Sequence, residues 1–177
     1  SKLRKPMKLS LKFIVPLLIV LSIVTWAVLP LVDGLTLRWF VRDLDLRSQL
    51  VANTMQDPLI ELVKADSKTK IIKLFNDAIK DDRLYALGFC DKENILRFKT
   101  ETFPIEHGCQ IKNEVSDKNG TIIELSQGPL HLANYKVIDN NEQLGQLILI
   151  HDMSFIERRS TDTRKYVFYL FIALGIL

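Results

Sequence analysis

Residues 84–99 read LYALGFCDKENILRFK, and this stretch decides the class of fold. Its first part, LYALGFC, is a continuous apolar run typical of a buried strand. DKEN (91–94) is rich in turn-forming residues, and ILRFK (95–99) alternates between apolar and polar residues as a half-exposed strand does. The stretch therefore predicts a β-hairpin that begins a sheet.

The chain before this hairpin has a helical pattern. Apolar residues recur every three or four positions from 35 to 63, interrupted only by Pro58, and a second helix is predicted over 67–81 with Ser67 as its N-cap. The first helix is expected to continue, with a bend, from the apolar segment before it. Its apolar stripe comprises Leu37, Val41, Leu44, Val51, Met55 and Leu62.

Three more strands are predicted after an irregular segment at 100–120. They are TIIELS (121–126), LHLANYKVID (130–139) and QLGQLILIHD (143–152), joined by turn-like residues. Ser154 and Glu157 then fit a capping box at the start of an exit helix. The predicted fold class is α+β: a long helix, a short helix, a five-stranded antiparallel sheet and an exit helix.

Two segments are apolar enough to suggest a membrane. Residues 13–32 carry no charge and are long enough to span a bilayer as a helix, whereas a soluble helix or a cleaved signal peptide fits their length and bulky end less well. Residues 166–177 predict the start of a second span. The basic residues of 1–12 favour a cytoplasmic N-terminus. Residues 33–165 are then expected outside the cytoplasm, on the outer side of a bacterial inner membrane.

Charge argues against a nucleic-acid partner. The formal net charge of the 177-residue chain is +3, but five of its 24 basic residues lie in the first 12 positions and all 21 acidic residues follow Val32. The rest of the chain is therefore slightly acidic, and no basic surface of the kind that binds nucleic acid is expected.

The hairpin segment GFCDKENILRF (88–98), preceded by two helices and followed by further strands, resembles the single Cache or PAS-like domains of bacterial membrane sensors. The resemblance covers about residues 35–160 and implies a ligand-responsive sensor domain. In such domains a small ligand lies against the sheet, which makes Tyr85, Arg97, His131 and Tyr135 candidate ligand-binding residues. Ordinary solvent-facing strand positions are the alternative interpretation of these four.

Two further segments, LTLRWFVRDLDLRSQLVANTMQDPL (35–59) and HDMSFIERRSTDTRKYVFYLFIALG (151–175), resemble the N-terminal membrane region of a group of bacterial trehalose-6-phosphate synthases. This resemblance implies a HAMP-like linker and a retaining glycosyltransferase domain after residue 177. None of the catalytic or nucleotide-sugar residues of that enzyme can be assigned to this chain.

Cys90 and Cys109 are the only cysteines. Outside the cytoplasm such a pair usually forms a disulfide, and closing a loop of this size stabilises the fold by about 3 kcal/mol. Two free thiols, or a metal site with His107, are the alternatives, although His107 and Cys109 have a poor spacing for zinc. No metal site and no cofactor are predicted.

The sequence has no motif for catalysis within these residues. His151 and Asp152 form a lone pair without a nucleophile, and Asp152 fits a strand-to-helix turn better than acid–base chemistry. Asn119, Gly120 and Thr121 match a glycosylation sequon but also a turn.

Three functions follow as hypotheses. The first is a sensory module that passes a signal through its flanking helices to a cytoplasmic output domain, such as a glycosyltransferase, a histidine kinase or a cyclase. The second is a structural membrane anchor that forms a homodimer through an apolar seam on the long helix, at Leu37, Val41, Leu44, Val51 and Met55. The third, an enzyme within these residues, has no support in the sequence.

Overall fold

The computed structural model describes residues 5–82, 84–109 and 120–176. Within them the chain forms three α-helices, five strands and a short 3-10 turn. The helices are α1 (Lys5–Lys64), α2 (Lys68–Asp82) and α3 (Ser154–Ile176). The strands are β1 (Ala86–Asp91), β2 (Leu96–Lys99), β3 (Thr121–Leu125), β4 (Gly128–Asp139) and β5 (Glu142–Asp152), and the turn is Ile105–His107. The predicted α+β class, with its helices followed by five strands, is confirmed.

All five strands lie in one antiparallel sheet, in the order β2-β1-β5-β4-β3. The β1–β2 hairpin and the run β3-β4-β5 are therefore joined through β1 and β5, which are far apart in sequence. Asn140 and Asn141 have φ values of 47° and 68°, the left-handed conformation that a two-residue hairpin turn between β4 and β5 requires.

Helices α1 and α2 cover one face of the sheet. Val51, Met55 and Leu59 of α1 are buried in a core with Phe75 of α2, to which the sheet contributes Leu87, Phe89, Leu147 and Leu149. The helix continues through Pro58, and the burial of its neighbour Leu59 offsets a break that costs about 3 kcal/mol in an exposed helix.

This packing corrects the predicted dimer seam on α1. Leu44, Val51 and Met55 are buried within the single chain, so these three positions have no free surface for a second copy. The 3.6-residue period that suggested a helix pair comes from packing against the chain's own sheet.

The opposite face of the sheet has a second core. Ala86 and Cys90 of β1 pack there with Leu132 and Ile150, under Phe103 from the segment after β2. A side chain at Gly88 would overlap the Phe103 ring at 2.4 Å, so the close approach of this covering segment depends on glycine.

The chain forms two compact units. One, called here the apolar unit, comprises Ser1–Trp39 and Glu157–Leu177, and the other, the sheet unit, is Phe40–Ile156. One helix in the described part of the chain, α1, is long and apolar enough to cross a membrane. Within its apolar stretch the hydroxyls of Ser22 and Thr25 donate to the carbonyls of Leu18 and Leu21, which satisfies both polar side chains inside the helix.

Candidate functional site

Two polar side chains interrupt the buried stripe of α1. Asp45 and Ser48 are three positions apart and therefore lie on the same side of the helix, where they are 8% and 0% exposed. Burial of polar groups is unfavourable unless the sheet supplies hydrogen-bonding partners.

The partners come from β4 and β5. His131 and His151 are direct cross-strand neighbours, with ring centroids 6.1 Å apart, and are 0% and 4% exposed. Tyr135 lies on the same face of β4, because side chains alternate along a strand. These five residues, Asp45, Ser48, His131, Tyr135 and His151, are called the polar cluster below.

Asp45 is at the centre of the hydrogen bonds. Its Oδ1 accepts from Nε2 of His131 at 2.7 Å and from the backbone N–H of Gly120 at 2.7 Å. A carboxylate can only accept, so Nε2 of His131 carries the hydrogen. The hydroxyl of Tyr135 donates to the backbone carbonyl of Asp45 at 3.2 Å.

His151 has a separate contact with α1. Its Nδ1 lies 3.2 Å from the hydroxyl oxygen of Ser48. Ser48 and Asp45 thus connect one helix to two adjacent strands through two different histidines.

Gly120 is held close to the cluster just before β3. A Cβ there would lie 2.4 Å from Nε2 of His131 and 2.7 Å from the carbonyl oxygen of Leu132. Only glycine allows its N–H to reach Asp45 in this position.

Burial shifts the proton equilibria of the cluster. Desolvation, followed by the positive potentials of His131 and Arg47, lowers the pKa of His151 to about 4 despite the opposing effect of Asp45. Desolvation also lowers the pKa of His131, against the attraction of Asp45. Desolvation and the charge of Asp45 raise the pKa of Tyr135 to about 12.

Three buried atoms of the cluster have no hydrogen-bond partner among the described residues. They are Oδ2 of Asp45, Nδ1 of His131 and Nε2 of His151. Because unpaired buried polar atoms are rare in folded proteins, these three make the cluster a candidate functional site.

The cluster is not a hydrolase site. Ser48 and His151 supply a nucleophile and a base, but the carboxylate of Asp45 orients the other histidine, His131. Ser48 is fully buried, so a substrate cannot reach it. No group of three or more metal-ligating side chains occurs in the described part of the chain.

The four predicted ligand-binding residues do not form one site. His131 and Tyr135 meet at Asp45, whereas Tyr85 packs against the core on the opposite face and donates to Oε1 of Gln127 at 3.0 Å. Arg97 lies on β2 and pairs with Asp91 at 2.8 Å.

Asp45, Ser48 and His151 were missed as site residues. The signal for the first two was present in the sequence: both fall inside the apolar stripe that includes Leu44 and Val51, where a polar residue needs a partner. His151 was considered only together with its neighbour Asp152, which has a different role in the turn before α3.

Asp152 forms the turn into α3, as the sequence predicted. Its carboxylate accepts from the backbone N–H of Ser154 at 2.8 Å and from the Ser154 hydroxyl at 3.0 Å. The side chain of Glu157, the other half of the predicted capping box, lies outside the described residues, as does Asn119 of the sequon.

A disulfide joins Cys90 of β1 to Cys109, with Cα atoms 5.9 Å apart. It fixes the segment after the 3-10 turn onto the face of the sheet opposite α1. This bond leaves neither cysteine available to bind a metal with His107.

Comparison with known proteins adds no family assignment. No protein-family model matches the chain, and no curated protein matches it significantly.

Proposed function

We propose that this chain is a membrane-anchored sensory domain, related to Cache and PAS domains, with residues 33–165 outside the cytoplasm. The observation that carries the proposal is the polar cluster. It connects α1, which contains the apolar segment, to β5, and β5 leads into α3 after Asp152. A change at the cluster therefore acts on both helices that flank the sheet.

The exposed apolar side chains of the apolar unit favour two membrane helices. The large apolar side chains of 13–32 are mostly exposed, and a long exposed apolar surface requires a non-aqueous surrounding. Tyr166, Phe168, Tyr169 and Leu170 of α3 are exposed in the same way, which favours a second span from residue 166.

The basic residues before the second span weigh against this orientation. They would lie on the outer side, against the usual bias toward the cytoplasm. The first span usually dominates orientation, and the basic residues that precede it favour the proposed one.

The output proposed from the resemblance is a glycosyltransferase of the trehalose-6-phosphate synthase type, reached through a HAMP-like linker. A histidine kinase or a cyclase is the alternative output. Each would use the same input, a displacement of α1 and α3.

A spin label at Tyr166 tests transmission in the full chain, reconstituted in lipid nanodiscs. Asp45→Asn alters the charge of the polar cluster and should change the mobility of the label. The matched control is Asp43→Asn, which removes an exposed carboxylate that pairs with Arg47 on the same helix and should leave the label unchanged.

Two glycines inserted between Thr163 and Tyr166 should abolish the effect of Asp45→Asn, because they interrupt α3 between the sheet and the label. An unchanged label in Asp45→Asn, or an effect that survives the insertion, would contradict a sensory role.

A structural anchor that forms a homodimer is the second candidate. Leu46 and Leu50 of α1 are exposed, and Leu50 borders a groove of about 370 Å³ between α1 and α2. This function predicts a cross-linked dimer from Leu50→Cys and no change at Tyr166 when Asp45 is substituted.

A further inference from the structure

The polar cluster is a contact between a helix and a sheet that contains several buried titratable side chains. Among the described residues, the charged and titratable groups that face it are Asp45 and Arg47 from α1, His131 and Tyr135 from β4, and His151 from β5. Arg47 is paired with Asp43, and Tyr135 stays protonated over the physiological range. The two histidines are therefore the basic side chains of the cluster that can take up a proton as the pH falls.

The two histidines differ in what a proton does to them. A proton on His131 adds to Nδ1 and gives an imidazolium already in contact with the carboxylate of Asp45 at 2.7 Å. That charge is balanced within the cluster, and the hydrogen bond from Nε2 is retained.

A proton on His151 has no such balance. Its hydrogen-bond partner is the neutral hydroxyl of Ser48, and its Nε2 has no partner among the described residues. The neighbouring ring of His131, at 6.1 Å, and Arg47 both oppose a positive charge there. A charged His151 is favoured only where water can reach the ring.

We propose that the polar cluster is a proton-operated contact, which holds α1 on β4 and β5 while His151 is neutral and releases α1 from β5 when His151 takes up a proton. The inference rests on the sensory function proposed above and names the proton as the stimulus. The proton comes from solvent and adds to the free nitrogen of the ring, and no covalent bond to carbon, oxygen or sulfur changes.

The release has a defined location. Separation of α1 from β5 breaks the Ser48–His151 contact and lets water solvate the charged ring. Asp45 and His131 hold the helix until that step, because their ion pair becomes stronger on protonation. The cluster thus combines a contact that acid weakens with a contact that acid strengthens, which limits the movement to the β5 side.

Distance measurements between spin labels at Leu46 on α1 and Glu142 on β5, both exposed, test the proposal in the full chain in nanodiscs without reductant. As the pH falls from about 7.5 to about 4, a second population with a longer distance should appear. The ratio of this population to the one with the shorter distance should rise by up to about tenfold per pH unit, the limit for one linked proton. His151→Gln should abolish this response. The control His107→Gln changes the remaining histidine and should retain it.

Histidine ¹³C resonances provide an independent measurement on the unsubstituted chain, in case His151→Gln does not fold. The titration of His151 should coincide with the change in distance. A distance that is constant with pH, a response that survives in His151→Gln, or a His151 titration separate from the distance change would overturn the proposal.

The outcome separates this inference from the proposed function. If the distance between the two labels does not change with pH but Asp45→Asn still changes the mobility of the label at Tyr166, the proton is not the stimulus and the sensory function stands. If Asp45→Asn leaves that label unchanged, the sensory function fails whatever the distance does.

Discussion

Acid should destabilise the sheet unit through His151, in a defined pH window. The folded pKa of His151 is about 4 and the ordinary value is 6.5, so folding keeps this ring neutral. Above pH 6.5 the ring is neutral in both states and contributes no pH dependence. Between 6.5 and about 4 the unfolded chain binds a proton that the folded chain does not, and stability falls as the pH falls.

The size of the effect follows from the shift. Each pKa unit corresponds to about 1.4 kcal/mol, so the folded state should lose about 3 kcal/mol relative to its stability above pH 6.5 by the time the pH reaches about 4. Below that pH both states carry the proton and this contribution becomes constant. His131, whose pKa is also lowered, acts in the same direction.

Hydrogen exchange of the β4 and β5 amides measures this free energy in the full chain, after correction for the intrinsic effect of pH on exchange. The comparison is between the unsubstituted chain and His151→Gln, which cannot bind the proton. The difference between the free energies of unfolding of the two proteins should increase as the pH falls from 6.5 to about 4. Parallel curves for the two proteins would refute the assignment of a buried neutral His151.

Three further experiments with substituted chains test contacts of the fold. Asp45→Ala leaves His131 and the Gly120 N–H without an acceptor and should lower the free energy of unfolding by about 3–5 kcal/mol in thermal or chemical unfolding. In a double-mutant cycle with His131→Leu, the two losses of stability should deviate from additivity by at least about 1 kcal/mol. Additivity would mean that the two side chains do not interact. Gly120→Ala should cost about 1–3 kcal/mol, because its Cβ overlaps the His131 ring, and wild-type stability would contradict that contact. Cys90→Ala combined with Cys109→Ala should lower stability by about 3 kcal/mol, and an unchanged mass on reduction would show that no disulfide exists.

The sequence predicted the elements because each has a strong local period. LYALGFC and ILRFK became β1 and β2 within about two residues, and the apolar repeat of α1 identified a helix that Pro58 does not end. The pairing of β1 with β5 could not be predicted in this way, because it depends on contacts between residues such as Leu87 and Leu149 that are far apart in sequence.

The same repeat led to a wrong prediction of what the apolar face of α1 packs against. Apolar positions at helical spacing have the same pattern whether they face a second helix or the chain's own sheet, so Val51 and Met55 could not be assigned to either from sequence. Two of the five residues of the polar cluster, His131 and Tyr135, were recognised, because strand alternation placed them on one face. Asp45 became visible as their partner only once α1 was packed against that face.

Membrane orientation is the claim on which the sensory account most directly depends. A cysteine introduced at Asn140, in the turn between β4 and β5, and another at Ser10, before the apolar segment, distinguish the two sides of the membrane. Each is tested separately in intact bacteria, with the Cys90–Cys109 disulfide retained. The account predicts that a membrane-impermeant maleimide labels Asn140→Cys in intact cells and Ser10→Cys only after lysis. Labelling of Ser10→Cys in intact cells, with Asn140→Cys protected until lysis, would contradict it.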